Sequence, residues 1–128
     1  MVNPKPHQPI KHLSWYNFEI FIKELAFKIK KSNTIYTDIY GIPRGGLIIA
    51  VKLSHLLNIP VSNTISQHTL IVDDISDSGK TLSILFKTLR FKHDTACLFM
   101  RYDTNFIPTF CYCIIKNNNW IEFPWESK

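Results

Sequence analysis

The chain has 128 residues, about the length of one compact domain. Hydrophobic residues make up 45% and charged residues 20%, an ordinary globular balance that argues against extended disorder. No apolar run approaches the roughly 20 residues needed to cross a bilayer. The opening MVNPKPHQPIKH has no apolar stretch of signal-peptide length, so a cytoplasmic protein is expected. Fifteen Lys and Arg against ten Asp and Glu leave a net charge of +5. Lys23, Lys28, Lys30 and Lys31 supply much of it and read as a solvated helix face. No nucleic-acid recognition motif accompanies them, and the positive field also suits phosphorylated small molecules.

Residues 1–12 hold Pro4, Pro6 and Pro9 and read as an extended arm before a single domain over 13–128. Ser14 is placed to cap a helix. Trp15, Phe18, Ile22, Leu25 and Ile29 then recur at spacings of three and four, an amphipathic helix to about Lys31. Ile35–Tyr40 reads as a strand. Leu47–Leu57 is a helix stopped by Asn58 and Pro60. Val61–Ile65 is a short strand candidate. Thr69–Asp73, nearly all apolar, reads as a strand buried on both faces. Lys80–Phe91 is a helix, and Thr95–Met100 and Phe110–Ile115 are strands. The tail NNNWIEFPWESK reads as irregular. Strands alternating with helices predict an α/β domain with a mainly parallel twisted sheet flanked by helices.

Cys111 and Cys113 fall on one face of the last strand. With three cysteines and no CxxC, buried free thiols in a reducing compartment are expected rather than a zinc site. The five histidines are scattered and form no ligand cluster.

Glycine is the informative count. Average usage of ~7% would give about nine, yet only Gly41, Gly45, Gly46 and Gly79 occur. All four lie in two segments, GIPRGG and DDISDSGKT. In the second, an apolar strand runs into Asp73 and Asp74, a loop from Ser76, and then a helix. Ligand sites of open α/β sheets lie beyond the C-terminal ends of the strands. The free N–H groups and dipole of a helix start suit a phosphate there. Ser78 and Thr81 add hydroxyls, and Gly79 permits close backbone approach. The adjoining carboxylates suggest sugar hydroxyls, a hard cation such as Mg²⁺, or both.

A Walker A loop is excluded, because the position that motif requires as its first glycine is Asp74. An EF-hand is excluded because its ninth and twelfth positions are Leu82 and Leu85. A strand-to-helix turn with Asx and Ser caps is the plainer alternative. In GIPRGG, Arg44 supplies a planar fork for phosphate oxygens. Gly45 and Gly46 are expected to expose their N–H groups. Both loops are expected at one edge of the sheet, outlining a ligand with phosphates at two ends and a hydroxylated centre.

These residues resemble the type I phosphoribosyltransferases. Ile71–Thr81 is similar to that family's signature for 5-phosphoribosyl 1-pyrophosphate (PRPP). Pro43-Arg44-Gly45-Gly46 resembles its pyrophosphate loop. The opening Ser14-Trp15 and the tail Trp120-Ile121-Glu122-Phe123-Pro124-Trp125-Glu126 look like the bacterial xanthine–guanine branch. The resemblance implies a cytoplasmic, homodimeric or homotetrameric enzyme of purine salvage. Such an enzyme transfers phosphoribose from PRPP to xanthine, guanine or hypoxanthine with Mg²⁺.

By the same resemblance, Arg44, Gly45, Gly46, Asp73, Asp74, Ser76, Asp77, Ser78, Gly79, Lys80 and Thr81 bind PRPP. Asp73 and Asp74 hold the metal around the ribose hydroxyls, and Asp77 is the general acid or base beside N7 of the purine. Trp120 stacks on the base, the Ile121–Glu122 backbone reads its 2-position, and Arg101 its 6-oxo group. A cis peptide is expected at Pro43–Arg44. Taken alone, Trp120, Phe123 and Trp125 would read as an aromatic plug over a sheet edge. The sequence departs from the family at Ser62–Thr69, where there is room for a turn and no long mobile hood. A PRPP- or nucleotide-binding protein without turnover is therefore the alternative.

Overall fold

The computed structural model describes residues 10–117 and 119–126. In chain order the elements are β1 (Ile10–His12), α1 (Trp15–Lys31), β2 (Asp38–Gly41), α2 (Gly45–Leu57), β3 (Thr69–Ser76), α3 (Lys80–Lys87), β4 (Thr95–Arg101), β5 (Phe110–Ile115) and β6 (Trp120–Glu122). A 3-10 turn over Pro124–Glu126 follows. Strands β2-β3-β4-β5 form one wholly parallel sheet in that order, and β1 pairs with β6 in a second, two-stranded parallel sheet.

Alternation along β3 decides which layer each side chain joins. Leu70 and Val72 enter the larger core with Phe18, Ile22 and Leu25 of α1 and Ile49 and Leu53 of α2. Ile71 enters a smaller core with Leu82 of α3 and Cys97 of β4. Strands covered on both faces need apolar residues at successive positions, and every residue of β4 is buried. Ser14 caps α1 as expected, its hydroxyl accepting from Asn17 N at 3.0 Å. Asn58, at φ 57°, closes α2 in the left-handed region that asparagine tolerates.

The differences from the sequence reading have local causes. The strand expected at Ile35 begins at Asp38, where pairing with Thr69 starts, and Ile35 is exposed. The strand candidate at Val61–Ile65 reduces to one bridge between Val61 and Ile39. Beyond it, Ser62 Oγ accepts from Thr64 N at 3.1 Å, and such local side-chain bonds compete with a ladder. Helix α3 stops at Lys87 rather than Phe91, because Thr88 turns its hydroxyl back to Leu85 O at 2.7 Å. β3 runs on to Ser76, since Ile75 and Ser76 keep partners in Phe99 and Met100. Cys97 is buried, but Cys111 is only partly covered and Cys113 is exposed on the edge strand β5; all three are free.

Two corrections concern the chain ends. The tail expected to be irregular contains β6 and the 3-10 turn. Of the expected extended arm, Ile10–His12 is the strand that pairs with Trp120–Glu122, and residues 1–9 lie outside the described residues. Among the described residues no helix is long and apolar enough to cross a membrane.

Candidate active site

The loops after β2 and β3 open into one cleft of about 890 Å³. Its wall takes in Pro43, Arg44 and Gly45 from the first loop, Asp73–Thr81 from the second, and Trp120, Trp125 and Glu126 from the tail. Both loops leave neighbouring parallel strands at the same end, so their placement on one rim follows from the topology.

The two loops interlock. A Cβ on Gly45 would run into Asp74 Oδ2, so only glycine lets the first loop lie on that carboxylate. Pro43–Arg44 is a cis peptide bond, as the resemblance implied. Gly46 differs from expectation: its N–H is spent on Ile42 O at 2.8 Å, and a Cβ there would meet Val72 O. Gly46 therefore packs the loop against β3, while Arg44 and Gly45 face the cleft.

Asp73 and Asp74 are both buried. Asp73 Oδ1 accepts from Asp74 N at 2.9 Å, and Asp74 Oδ1 from Ile75 N at 2.8 Å. Asp74 Oδ2 is buried with no partner. Burial first, and then the neighbouring charge of Asp74, push Asp73 up to about 8. Burial also raises Asp74. Buried carboxylates are costly unless a cation or hydrogen bonds compensate them. An orphaned oxygen in an all-oxygen pair thus fits a hard divalent cation or a hydroxylated ligand.

The loop expected to hold a phosphate is Ser78–Thr81, leading into α3. Gly79 sits at φ +86° as the residue before the helix, a conformation that disfavours any side chain. Lys80 N donates to Ser78 Oγ at 3.2 Å. Lys80 and Thr81 are exposed on the wall, as are Asp77 and Ser78.

Sequence reasoning missed what stands behind this loop. Asn105 N donates to Ser78 O at 2.9 Å, and Ser76 Oγ donates to Phe106 O at 2.7 Å. A Cβ on Gly79 would meet Thr104, Asn105 and Phe106. The turn after β4 therefore buttresses the Ser78–Thr81 loop, and Ser76 is spent on it rather than left free for a ligand. No periodicity or motif marks that turn; only its polar Asp-Thr-Asn composition sets it apart.

The part of the cleft expected to take a base is built from both chain ends. Trp125 stacks on Phe123 with ring centres 4.8 Å apart and meets Phe18 edge-on at 5.3 Å. It is thus the expected plug and, with Trp120, part of the cleft wall. Glu126, which the sequence reading left without a role, also lines the cleft while its Oε1 accepts from Phe123 N at 2.9 Å. Burial raises its carboxyl above the ordinary range. The side chain of Ile121 is buried in the larger core. Glu122 turns to His12 Nδ1 at 2.5 Å. Arg101 is buried and bonds Asp77 of the cleft wall without lining the cleft itself. The structure therefore does not bring the side chains of Arg101, Ile121 and Glu122 into the cleft.

The expected absence of a long hood also has a structural form. Thr69 Oγ1 donates to Asp38 Oδ1 at 2.5 Å and accepts from Ser66 N at 2.9 Å. His93 Nε2 lies 2.6 Å from Ser66 O. These contacts pin Ser66–Thr69 to the starts of β2, β3 and β4, while Ser62 and Asn63, at the other end of the segment, share a hollow with Gly41 and Pro43 of the first loop.

No protein-family model matches the chain. The solved purine phosphoribosyltransferase from Pyrococcus horikoshii is 32% identical, with a TM-score of 0.76, and the alignment covers 92% of this chain and 95% of that one. The chain belongs to the type I phosphoribosyltransferase family. The xanthine-guanine phosphoribosyltransferase of Cereibacter sphaeroides is 27% identical over 150 residues, covering 94% of this chain and 89% of the relative. The xanthine-guanine-hypoxanthine phosphoribosyltransferase of Helicobacter pylori shares the fold at a TM-score of 0.78 with 21% identity, covering 94% of each chain. This phosphoribosyltransferase chain thus spans nearly the full length of its relatives.

Proposed function

We propose that the chain is a purine phosphoribosyltransferase. It transfers the 5-phosphoribosyl group of PRPP to N9 of a 6-oxopurine (xanthine, guanine or hypoxanthine) and releases pyrophosphate. One observation carries this reading: Arg44, the Asp73–Asp74 pair, the Ser78–Thr81 loop and Trp120 share a single cleft. By chemistry these groups suit pyrophosphate, the ribose hydroxyls with a cation, the 5-phosphate and the base in turn.

The chemistry follows from the residues. The C1–oxygen bond to pyrophosphate breaks, C1 becomes oxocarbenium-like, and the C1–N9 bond forms. Arg44 stabilises charge on the departing pyrophosphate. The amides and hydroxyls of Ser78–Thr81 fix the 5-phosphate at the start of α3. Asp77, exposed on the wall, accepts the proton of the purine imidazole ring. Trp120 offers an aromatic face for the base, so that much of the rate gain is positioning. Asp73 and Asp74 would hold Mg²⁺ with the ribose hydroxyls, and the ion when bound supplies charge neutralisation beside the leaving group.

The short 62–69 segment favours a second reading, a protein that binds PRPP or a nucleotide without turnover, since an oxocarbenium needs water excluded. A pyrophosphate-release assay with PRPP, Mg²⁺ and each of the three bases separates the two. Release with at least one base is expected. PRPP binding by calorimetry with no release from any base would replace the enzyme by the binding protein.

A further inference from the structure

Arg101 is the last residue of β4, held in the sheet by its pairing with Ile115. Its side chain is only 9% exposed, and its guanidinium bonds Asp77 of the cleft wall and the turn that leads into Trp120 at once. Nε donates to Asp77 Oδ1 at 3.0 Å. Nη1 donates to the carbonyls of Asn117 at 3.0 Å and Asn119 at 2.8 Å, immediately before Trp120. Asp77 belongs to the phosphate loop, and Trp120 opens the tail. We propose that Arg101 is a positioning residue: a strap that sets the spacing between the Asp77 carboxylate and the Trp120 indole, and so the seat of the base between them.

The strap rests on the purine-transfer reading for its catalytic meaning, and on the three hydrogen bonds for its existence. A buried guanidinium must keep its partners, because an unpaired buried charge is strongly unfavourable. Its loss would free both segments together. The planar fork presents Nε and Nη1 in different directions, so one rigid group spans both; a lysine ammonium is a point donor and reaches one side only. The main chain of Arg101 contributes as well. Its carbonyl accepts from Thr104 N at 3.0 Å, which starts the turn that buttresses Ser78. A purine in this cleft must meet Trp120 with its face and Asp77 with its edge at the same time. Those two demands fix a separation that neither segment sets alone.

The test uses the full chain carrying Trp15→Phe and Trp125→Phe, which leaves Trp120 as the one tryptophan. Arg101→Ala is expected to increase acrylamide quenching of Trp120 fluorescence. Asp77→Asn, which opens the same ion pair from its exposed end, is expected to give a smaller increase. In the transfer assay, Arg101→Ala raises the KM for the base about 10–100-fold and leaves the KM for PRPP at the wild-type value. Arg101→Lys recovers part of that loss, and added guanidinium ion recovers it in Arg101→Ala. Unchanged quenching in both variants, or equal rises in the two KM values, would overturn the strap. If Arg101→Ala does not fold, Arg101→Lys and Asp77→Asn decide by the same quenching readout. If the parent protein transfers to no purine, the transfer reading fails, and the quenching result still decides the strap.

Discussion

The two ends of the cleft are made in different ways. The end proposed for the 5-phosphate is contiguous in sequence: an apolar strand, two carboxylates, a glycine turn and a helix start, all within Thr69–Lys87. The end proposed for the base is assembled from parts more than a hundred residues apart. β1 pairs with β6, Leu13 N donates to Glu122 O at 2.9 Å, and Trp15 and Phe18 of α1 lie against Trp125. The first end is shaped by local backbone geometry, with the Thr104–Phe106 turn behind it, and the second by long-range pairing and packing. Substitutions at the first should therefore act locally and steeply. Those at the second should spread over several weaker contacts.

The comparison breaks most sharply at Asp74. Asp74→Ala is expected to lower PRPP-dependent pyrophosphate release by about 10²–10³-fold, the scale of losing one preorganised electrostatic contact. Steady-state kinetics would show it, and a loss below tenfold would take Asp74 out of the ribose site.

At the same end, Gly79→Val places a side chain at positive φ and against the Thr104–Phe106 turn. A stability loss of about 1–3 kcal/mol in urea unfolding is expected from the backbone strain alone.

The buried acid pair also makes stability depend on pH. Asp73 is raised in the folded chain to about 8 from an ordinary carboxylate value. A raised folded value means that its contribution is fully present below the unfolded value and is lost as pH rises toward 8. Thermal melts of the ligand-free protein should fall between about pH 4 and pH 8. Asp73→Asn should flatten that slope and raise the melting temperature at pH 8. A slope unchanged by Asp73→Asn would assign it to other groups.

The base end is expected to yield smaller effects. Trp120→Ala removes a stacking face worth about 1–3 kcal/mol per base. The KM for the purine should rise while that for PRPP holds, and Trp120→Phe should keep most of the affinity. His12→Ala opens an exposed pair with Glu122 and should cost under about 1 kcal/mol by urea unfolding. A larger loss would make the clasp between the chain ends a principal support of the tail.

The same contrast explains how much was legible before the fold was known. The course of α1 follows from apolar residues at spacings of three and four, and Ser14 from its capping hydroxyl. The acid pair, Gly79 and the helix start follow from a compact motif whose geometry is local. The β1–β6 pairing was not legible, because Ile10–His12 and Trp120–Glu122 are three residues each, too short for a period. Arg101 was legible as a cation near the site, but not its direction. A guanidinium turns toward whichever acceptors the tertiary fold supplies, here Asp77 and the turn before Trp120.

Residue pattern alone therefore determined the parallel α/β order and the two glycine turns that lead into helices, because backbone conformation and amphipathic spacing are properties of neighbours in the chain. Tertiary structure alone decided that Gly46 packs against β3, that Ser66–Thr69 is tied to the starts of the strands, and that the two chain ends form the wall with Trp120 and Trp125. Those outcomes depend on which surfaces meet, and contacts across a hundred residues leave no period in the sequence that makes them.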